Sequence, residues 1–128
     1  MIGAHPQQGL TGCRVLIVED ESFLADDLAQ AVAQLGAEVI GPVPTRDEAL
    51  ALLATGAKID LAVLDINLEN EAVFPVADIL TERGVPFLFA TGYSPASVPA
   101  QYQHVSWWEK PFDPQTLARA LSKLMRNP

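Results

Sequence analysis

Cysteine, basic residues and long apolar runs are all scarce in this sequence. The chain has one cysteine, Cys13, which excludes an internal disulfide and a cysteine-based metal cluster. No apolar run approaches the roughly 20 residues that a membrane-spanning helix needs. No charged start followed by an apolar stretch marks a secretory signal. These absences favour a cytoplasmic protein that has no membrane partner.

Basic side chains are outnumbered by acidic ones. The chain carries 8 Lys and Arg against 16 Asp and Glu, a net charge of -8. Non-specific binding to nucleic acids requires basic side chains that neutralise phosphates, and no basic stripe or cluster is present. We therefore expect no nucleic-acid partner, and we attribute most of the acidic surface to solubility.

The composition that remains is that of one globular domain. The chain has 128 residues, of which 49% are hydrophobic and 19% are charged, and this is enough for a single core. Residues 1–12, rich in Gly, Pro and Gln, are predicted to be a flexible leader, and residues 13–128 to be the folded domain.

Short apolar runs alternate with segments of helical spacing. The runs predict strands over residues 14–18, 37–43, 61–64, 85–90 and 104–108. Helix starts are indicated by a capping box from Thr45 to Glu48, by Pro75, and by an N-cap at Asp113. Residues 94–103 contain two prolines, so any helix there is short. Uniformly apolar strands alternating with helices predict an α/β fold, a doubly wound parallel sheet covered on both faces.

Polar residues follow four of the predicted strands: Glu19 and Asp20, then Asp65, Thr91 and Lys110. The carboxyl ends of parallel strands meet at one edge of the sheet, where sites form. Taken singly, each residue has an ordinary role as a cap, a turn former or a surface lysine. Together, three carboxylates repel one another unless a cation is present, and oxygen ligands without His or Cys select Mg²⁺. A carboxylate in such a cluster can accept a phosphoryl group.

The motifs VLIVED, VLDINL and EKPF, in this order and spacing, resemble the receiver domain of two-component response regulators. The resemblance covers residues 14 to about 125 and implies a flavodoxin-like five-stranded sheet of order 2-1-3-4-5. The roles that it implies are a phosphoacceptor at Asp65, a direct Mg²⁺ ligand at Asp20, a water-mediated ligand at Glu19, a backbone carbonyl ligand at Asn67, and phosphoryl-oxygen ligands at Thr91 and Lys110.

The stretch PFLFATGYS around Thr91 resembles the receiver subgroup called FAT GUY. This subgroup is associated with alphaproteobacterial histidine kinases of the HWE type and with general stress signalling. It usually lacks an aromatic residue three places before the lysine, where this chain has Trp107. Trp107 is therefore a candidate switch, and we expect it to lie on the opposite face of its strand from Trp108 and Lys110.

The resemblance implies a single-domain response regulator, with no enzymatic activity beyond its own phosphorylation and dephosphorylation. Its implied partners are a sensor histidine kinase or a histidine phosphotransfer protein, and a downstream protein target; it could also relay or drain phosphate. The alternative is a degenerate receiver that acts as a phosphorylation-independent protein-binding module.

Two other classes of protein are disfavoured by their motifs. Phosphatases of the haloacid-dehalogenase type carry Asp-x-Asp where this chain has Glu19-Asp20. A flavin binder would need a Ser/Thr/Gly phosphate loop where this chain has EDESF.

Overall fold

A five-stranded parallel sheet forms the centre of the protein. The computed structural model describes residues 9–92 and 98–126. The sheet strands are β1 (Arg14–Val18), β2 (Glu38–Val43), β3 (Leu61–Leu64), β6 (Phe87–Thr91) and β7 (Trp107–Glu109). Their order is 2-1-3-6-7, which is the predicted order once a small hairpin takes the labels β4 (Asn67–Leu68) and β5 (Glu71–Ala72). The predicted doubly wound α/β fold is confirmed.

In the described part of the chain, four α-helices cover the two faces of the sheet. They are α1 (Ser22–Gln34), α2 (Arg46–Ala54), α3 (Phe74–Glu82) and α4 (Pro114–Arg126), and a short 3₁₀ helix covers Ala100–Tyr102. Side chains that alternate along each strand enter opposite cores. Leu16 and Val18 pack under α2 and α3, whereas Val15 and Ile17 pack under α1 and α4. Among the described residues, no helix is both long enough and apolar enough to cross a membrane.

The predicted helix starts are confirmed by their contacts. Thr45 Oγ1 accepts a hydrogen bond from the Glu48 backbone N–H at 3.1 Å and donates to Glu48 Oε2 at 3.0 Å. Asp113 Oδ2 accepts from the Thr116 N–H at 3.3 Å. Pro75 occupies the first turn of α3, where its missing N–H leaves no helical bond unmade.

The last strand starts three residues later than predicted. The Val105 N–H donates to Tyr102 O at 3.0 Å, so His104 and Val105 belong to a turn after the 3₁₀ helix. The first hydrogen bond to the sheet in this segment runs from the Phe89 N–H to Ser106 O at 3.0 Å, and the strand begins at Trp107. In the predicted segment 94–103, residues 93–97 lie outside the described part of the chain. The described remainder contains the one short helical turn, as the prolines indicated.

Part of the predicted leader packs against the domain. Leu10 is fully buried in the core under α1 and α4, and its N–H donates to Leu35 O at 2.8 Å. Ser122 Oγ on α4 donates to the Gly9 carbonyl at 3.1 Å. The packed region therefore includes Gly9 and Leu10, before the predicted boundary at Cys13, and residues 1–8 of the predicted leader lie outside the described residues.

Candidate functional site

Three carboxylates meet at the carboxyl edge of the sheet. Glu19 and Asp20 directly follow β1, and Asp65 directly follows the neighbouring strand β3, where Val18 pairs with Leu64. One oxygen from each carboxylate lies within 4.8 Å of the others. Glu19 and Asp65 are only 3% and 4% exposed. The predicted convergence of the acids is present in the structure.

Lys110 supplies a positive charge to this cluster. It follows β7, two strands away from β3, and its long side chain crosses the gap above β6. Its Nζ donates to Asp65 Oδ2 at 3.1 Å and to Glu19 Oε2 at 3.0 Å. A third bond, at 2.8 Å, goes to Glu21 Oε1, a residue that the sequence analysis did not single out.

The electrostatics of the site follow from burial and from unbalanced charge. Burial, and then the charge of Asp65, raise the pKa of Glu19 from 4.5 to about 8. Burial also raises the pKa of Asp65, although the Lys110 charge opposes that change. Burial by itself lowers the pKa of Lys110, but hydrogen bonds to Glu21 and Glu19 and the charge of Asp65 outweigh it, so the net pKa is raised. Burial is therefore the main cause of the raised pKa values of Glu19 and Asp65, and the charge of Lys110 offsets it only in part.

The β4–β5 hairpin closes one side of the site. The Asn67 N–H donates to Asp65 Oδ1 at 3.4 Å, and the Glu69 N–H donates to Asp20 Oδ2 at 3.2 Å. Glu69 and Asn70 form the turn with positive φ values of 48° and 72°. This hairpin was not predicted from the sequence. Asn70 is the residue that could have indicated a turn here, because asparagine tolerates the left-handed backbone conformation.

Thr91 lies at the end of β6, between Asp65 and Lys110 in the strand order. Its side chain is fully buried, and its backbone carbonyl accepts the Lys110 N–H at 2.9 Å. The structure thus brings Glu19, Asp20, Asp65 and Lys110 into one cluster and places Thr91 on the strand beside them.

The two tryptophans face opposite cores, as predicted. Trp107 packs with Phe89 and Tyr102 beneath α3, whereas Trp108 packs edge to face with Phe112 in the core under α1 and α4. The Trp107 Nε1 atom is buried without a hydrogen-bond acceptor in the described part of the chain.

The donor set fits a hard divalent cation. All three converging ligand groups are carboxylates, and the cluster contains neither His nor Cys. Mg²⁺ takes oxygen ligands and is held by one or two carboxylates together with water and phosphate. The three carboxylates lie close together and two of them are buried, so a bound cation would offset their mutual repulsion, and the residues present are compatible with Mg²⁺.

The comparison with known proteins identifies related signalling proteins. No family model matches the chain. The phyllosphere-induced regulator PhyR of Methylorubrum extorquens is 31% identical over 114 residues, which are 87% of this chain and 43% of that protein. The positive alginate biosynthesis regulatory protein of Pseudomonas aeruginosa is 34% identical over 116 residues, 88% of this chain and 47% of that protein. This chain therefore spans about half the length, or less, of these two relatives.

Two solved structures extend the match to the fold. SdrG from Sphingomonas melonis Fr1 is 39% identical, with a TM-score of 0.75 over 91% of this chain and 98% of that one. The response regulator PhyR from Brucella abortus is 28% identical, with a TM-score of 0.77 over 94% of this chain and 51% of that one. Since nearly all of SdrG is covered, and the carboxylate cluster and its lysine lie where the motifs indicated, the chain belongs to the receiver domains of two-component response regulators.

Proposed function

We propose that this receiver accepts a phosphoryl group on Asp65 in a Mg²⁺-dependent reaction. The observation that carries the proposal is the contact between a buried carboxylate, Asp65, and the ammonium of Lys110, beside two further carboxylates. A nucleophilic carboxylate must be fixed in place and accessible from one side. Asp65 is held by Lys110 on one oxygen and by the Asn67 N–H on the other.

The transfer needs a donor with a phosphoryl group on nitrogen or oxygen, such as a phosphohistidine on a kinase or a phosphotransfer protein. An Asp65 oxygen forms a bond to phosphorus, and the bond from phosphorus to the donor atom breaks. The donor atom keeps the electron pair, and an imidazole leaving group takes up a proton. The product is an acyl phosphate on Asp65.

Glu19, Asp20 and Asp65 would hold the metal, together with the backbone carbonyl of Asn67. When bound, Mg²⁺ would offset the negative charge that accumulates as a phosphoryl group approaches these carboxylates. Lys110 donates hydrogen bonds to phosphoryl oxygens, as it now donates to carboxylates. Thr91, at the end of the adjacent strand, donates from its hydroxyl.

The partners follow from the same chemistry. We expect a sensor histidine kinase or a histidine phosphotransfer protein as donor, and a downstream protein that distinguishes the two phosphorylation states. Membership of the FAT GUY subgroup, and with it a kinase of the HWE type, remains a prediction from the PFLFATGYS segment. Relay, drainage of phosphate and direct target binding are all compatible with the site, as is a cytoplasmic location.

Incubation with a small acyl phosphate and Mg²⁺, followed by intact mass measurement, tests the proposal. We expect a gain of one phosphoryl group that is lost in hydroxylamine and is absent from Asp65→Asn. Asp60→Asn is the matched control, since Asp60 accepts the Arg14 N–H at 2.8 Å at the opposite edge of the sheet. An unmodified mass under conditions that label another receiver would instead favour the phosphorylation-independent binding module.

A further inference from the structure

Lys110 uses all its donors on carboxylates. A lysine ammonium has three N–H groups, and those of Lys110 are directed to Glu19, Glu21 and Asp65. A phosphoryl oxygen that is to be bound by Lys110 must therefore displace one of these acceptors. The three contacts differ in how readily each can be given up.

Glu21 is the acceptor that is easiest to displace. The side chains of Glu19 and Asp65 are 2% and 5% exposed, whereas that of Glu21 is 62% exposed. Breaking the contact to a buried carboxylate leaves an uncompensated charge away from water, but an exposed carboxylate is rehydrated when it moves away. The contact to Glu21 is also the shortest, at 2.8 Å, so it competes directly for the ammonium.

The side chain of Glu21 contacts Lys110 and does not cap α1. Glu21 is the N-cap residue of α1, yet it makes no side-chain capping bond. Its N–H donates to Glu19 Oε2 at 3.0 Å, and this bond fixes its backbone beside the cluster. The side chain consequently extends over the site rather than back to the first turn of the helix.

We propose that Glu21 is a positioning residue that restrains Lys110 and slows entry of the phosphoryl group. This inference rests on the proposed function of Asp65. In the resting protein the ion pair with Glu21 occupies one of the three N–H donors of the Lys110 ammonium. During transfer from an acyl phosphate, the Asp65 oxygen bonds to phosphorus, and the donor carboxylate leaves with the electron pair. Glu21 must release this donor before the donor can bind a phosphoryl oxygen.

The test compares wild type with Glu21→Gln and Glu21→Ala in the full chain. The neutral amide is a weaker acceptor for the ammonium, and alanine is no acceptor at all. We expect both variants to be labelled by a small acyl phosphate about two- to fivefold faster, the factor that an exposed ion pair is typically worth. We expect beryllofluoride with Mg²⁺ to bind more tightly by a similar factor.

A salt series separates this role from a purely structural one. Exposed charges are screened as ionic strength rises from about 0.01 M to about 1 M, so the ratio of variant to wild-type rates should fall towards one. Asp26→Asn is the matched control, because Asp26 is also exposed on α1 and its change removes the same charge. We expect its rate to equal that of wild type at every salt concentration.

The labelling results distinguish the proposed function of Asp65 from the proposed role of Glu21. If wild type gains no phosphoryl group on Asp65, the proposed function and the role of Glu21 both fail. If wild type is labelled but both Glu21 variants react no faster, the proposed function stands and the role of Glu21 is wrong. An equal acceleration in Asp26→Asn also overturns it, since the effect would then be one of net charge.

Discussion

The Lys110 ammonium lies 3.1 Å from the carboxylate of Asp65, in a contact that joins the ends of two strands separated by β6. This single positive charge is set against Asp65 and the two carboxylates that follow β1. Like charges at this separation destabilise one another unless protons or cations are taken up. The first two predictions follow from this imbalance.

Mg²⁺ should stabilise the folded protein. A ligand that binds only the native state adds about 2.7 kcal/mol to the free energy of unfolding at 100 times its dissociation constant. We expect urea unfolding to shift to higher denaturant with Mg²⁺. Asp20→Asn should be more stable than wild type in a chelator, because one repelling charge is gone, and should respond less to Mg²⁺.

Asp26→Asn provides the control for the metal prediction. It removes an equal charge from the exposed surface of α1, outside the carboxylate cluster. Its response to Mg²⁺ should match that of wild type. Equal Mg²⁺ responses of Asp20→Asn and wild type would show that the cluster does not bind the ion.

The metal-free protein should lose stability as the pH rises from about 4.5 to about 8. The pKa of Glu19 in the fold is raised from 4.5 to about 8, so the folded state favours the protonated acid. That contribution is complete below pH 4.5 and is lost as the pH rises through 8. Unfolding in chelator across this range should show the decline, and Glu19→Gln should flatten it.

In Glu19→Gln, a smaller decline of stability with pH should remain. Burial raises the pKa of Asp65 as it raises that of Glu19, so Asp65 contributes to the same pH dependence. Glu82→Gln, which neutralises an exposed carboxylate on α3, serves as the control and should keep the wild-type slope. Parallel pH profiles for Glu19→Gln and wild type would contradict the assignment of the slope to Glu19.

Leu10→Ala should destabilise the protein substantially. Leu10 is fully buried among side chains of α1 and α4, and truncation of a buried leucine costs about 2 to 5 kcal/mol. Met125→Ala, a truncation on α4 at a position that is 39% exposed, should cost far less. Similar unfolding free energies for the two variants would mean that Leu10 does not contribute to the core in solution.

Tryptophan emission should report activation through Trp107. The Trp107 indole lines a cavity of about 20 Å³ together with Phe89 and Tyr102. Trp107 lies on β7, the strand that pairs with β6, which ends at Thr91. We expect a change in emission on adding beryllofluoride with Mg²⁺, and its disappearance in Trp107→Phe. A change that is instead lost in Trp108→Phe would leave Trp107 as a packing residue.

The central strands were predictable because they are buried and bounded by charged residues. The bounds of β1 and β3 match the predicted residues 14–18 and 61–64. The predicted start of β7 was wrong, because His104 and Val105 continue the apolar run but lie in a turn that the Val105 N–H closes on Tyr102 O. The β4–β5 hairpin was missed, since strands of two residues are too short to show a period.

The site residues were predictable for a topological reason. In a parallel sheet the residues that follow the strands converge at one edge, so Glu19, Asp20 and Asp65 could be placed together from the order of the elements. Lys110 followed from the same rule, although its contact with Glu19 joins residues 91 positions apart.

The fold class and the acids and lysine that converge at the sheet edge could be predicted from the order of the residues, because periodicity and strand ends are local features of a sequence. The contact of Lys110 with Glu21 and the burial of Leu10 could be seen only in the folded chain. Glu21 is one of several acids in EDESF, and its bond to Lys110 depends on how α1 meets the end of β7. Leu10 is a lone apolar residue in a polar segment, so no periodic pattern predicts that it is buried. It is buried because side chains of α1 and α4 pack around it in the folded domain.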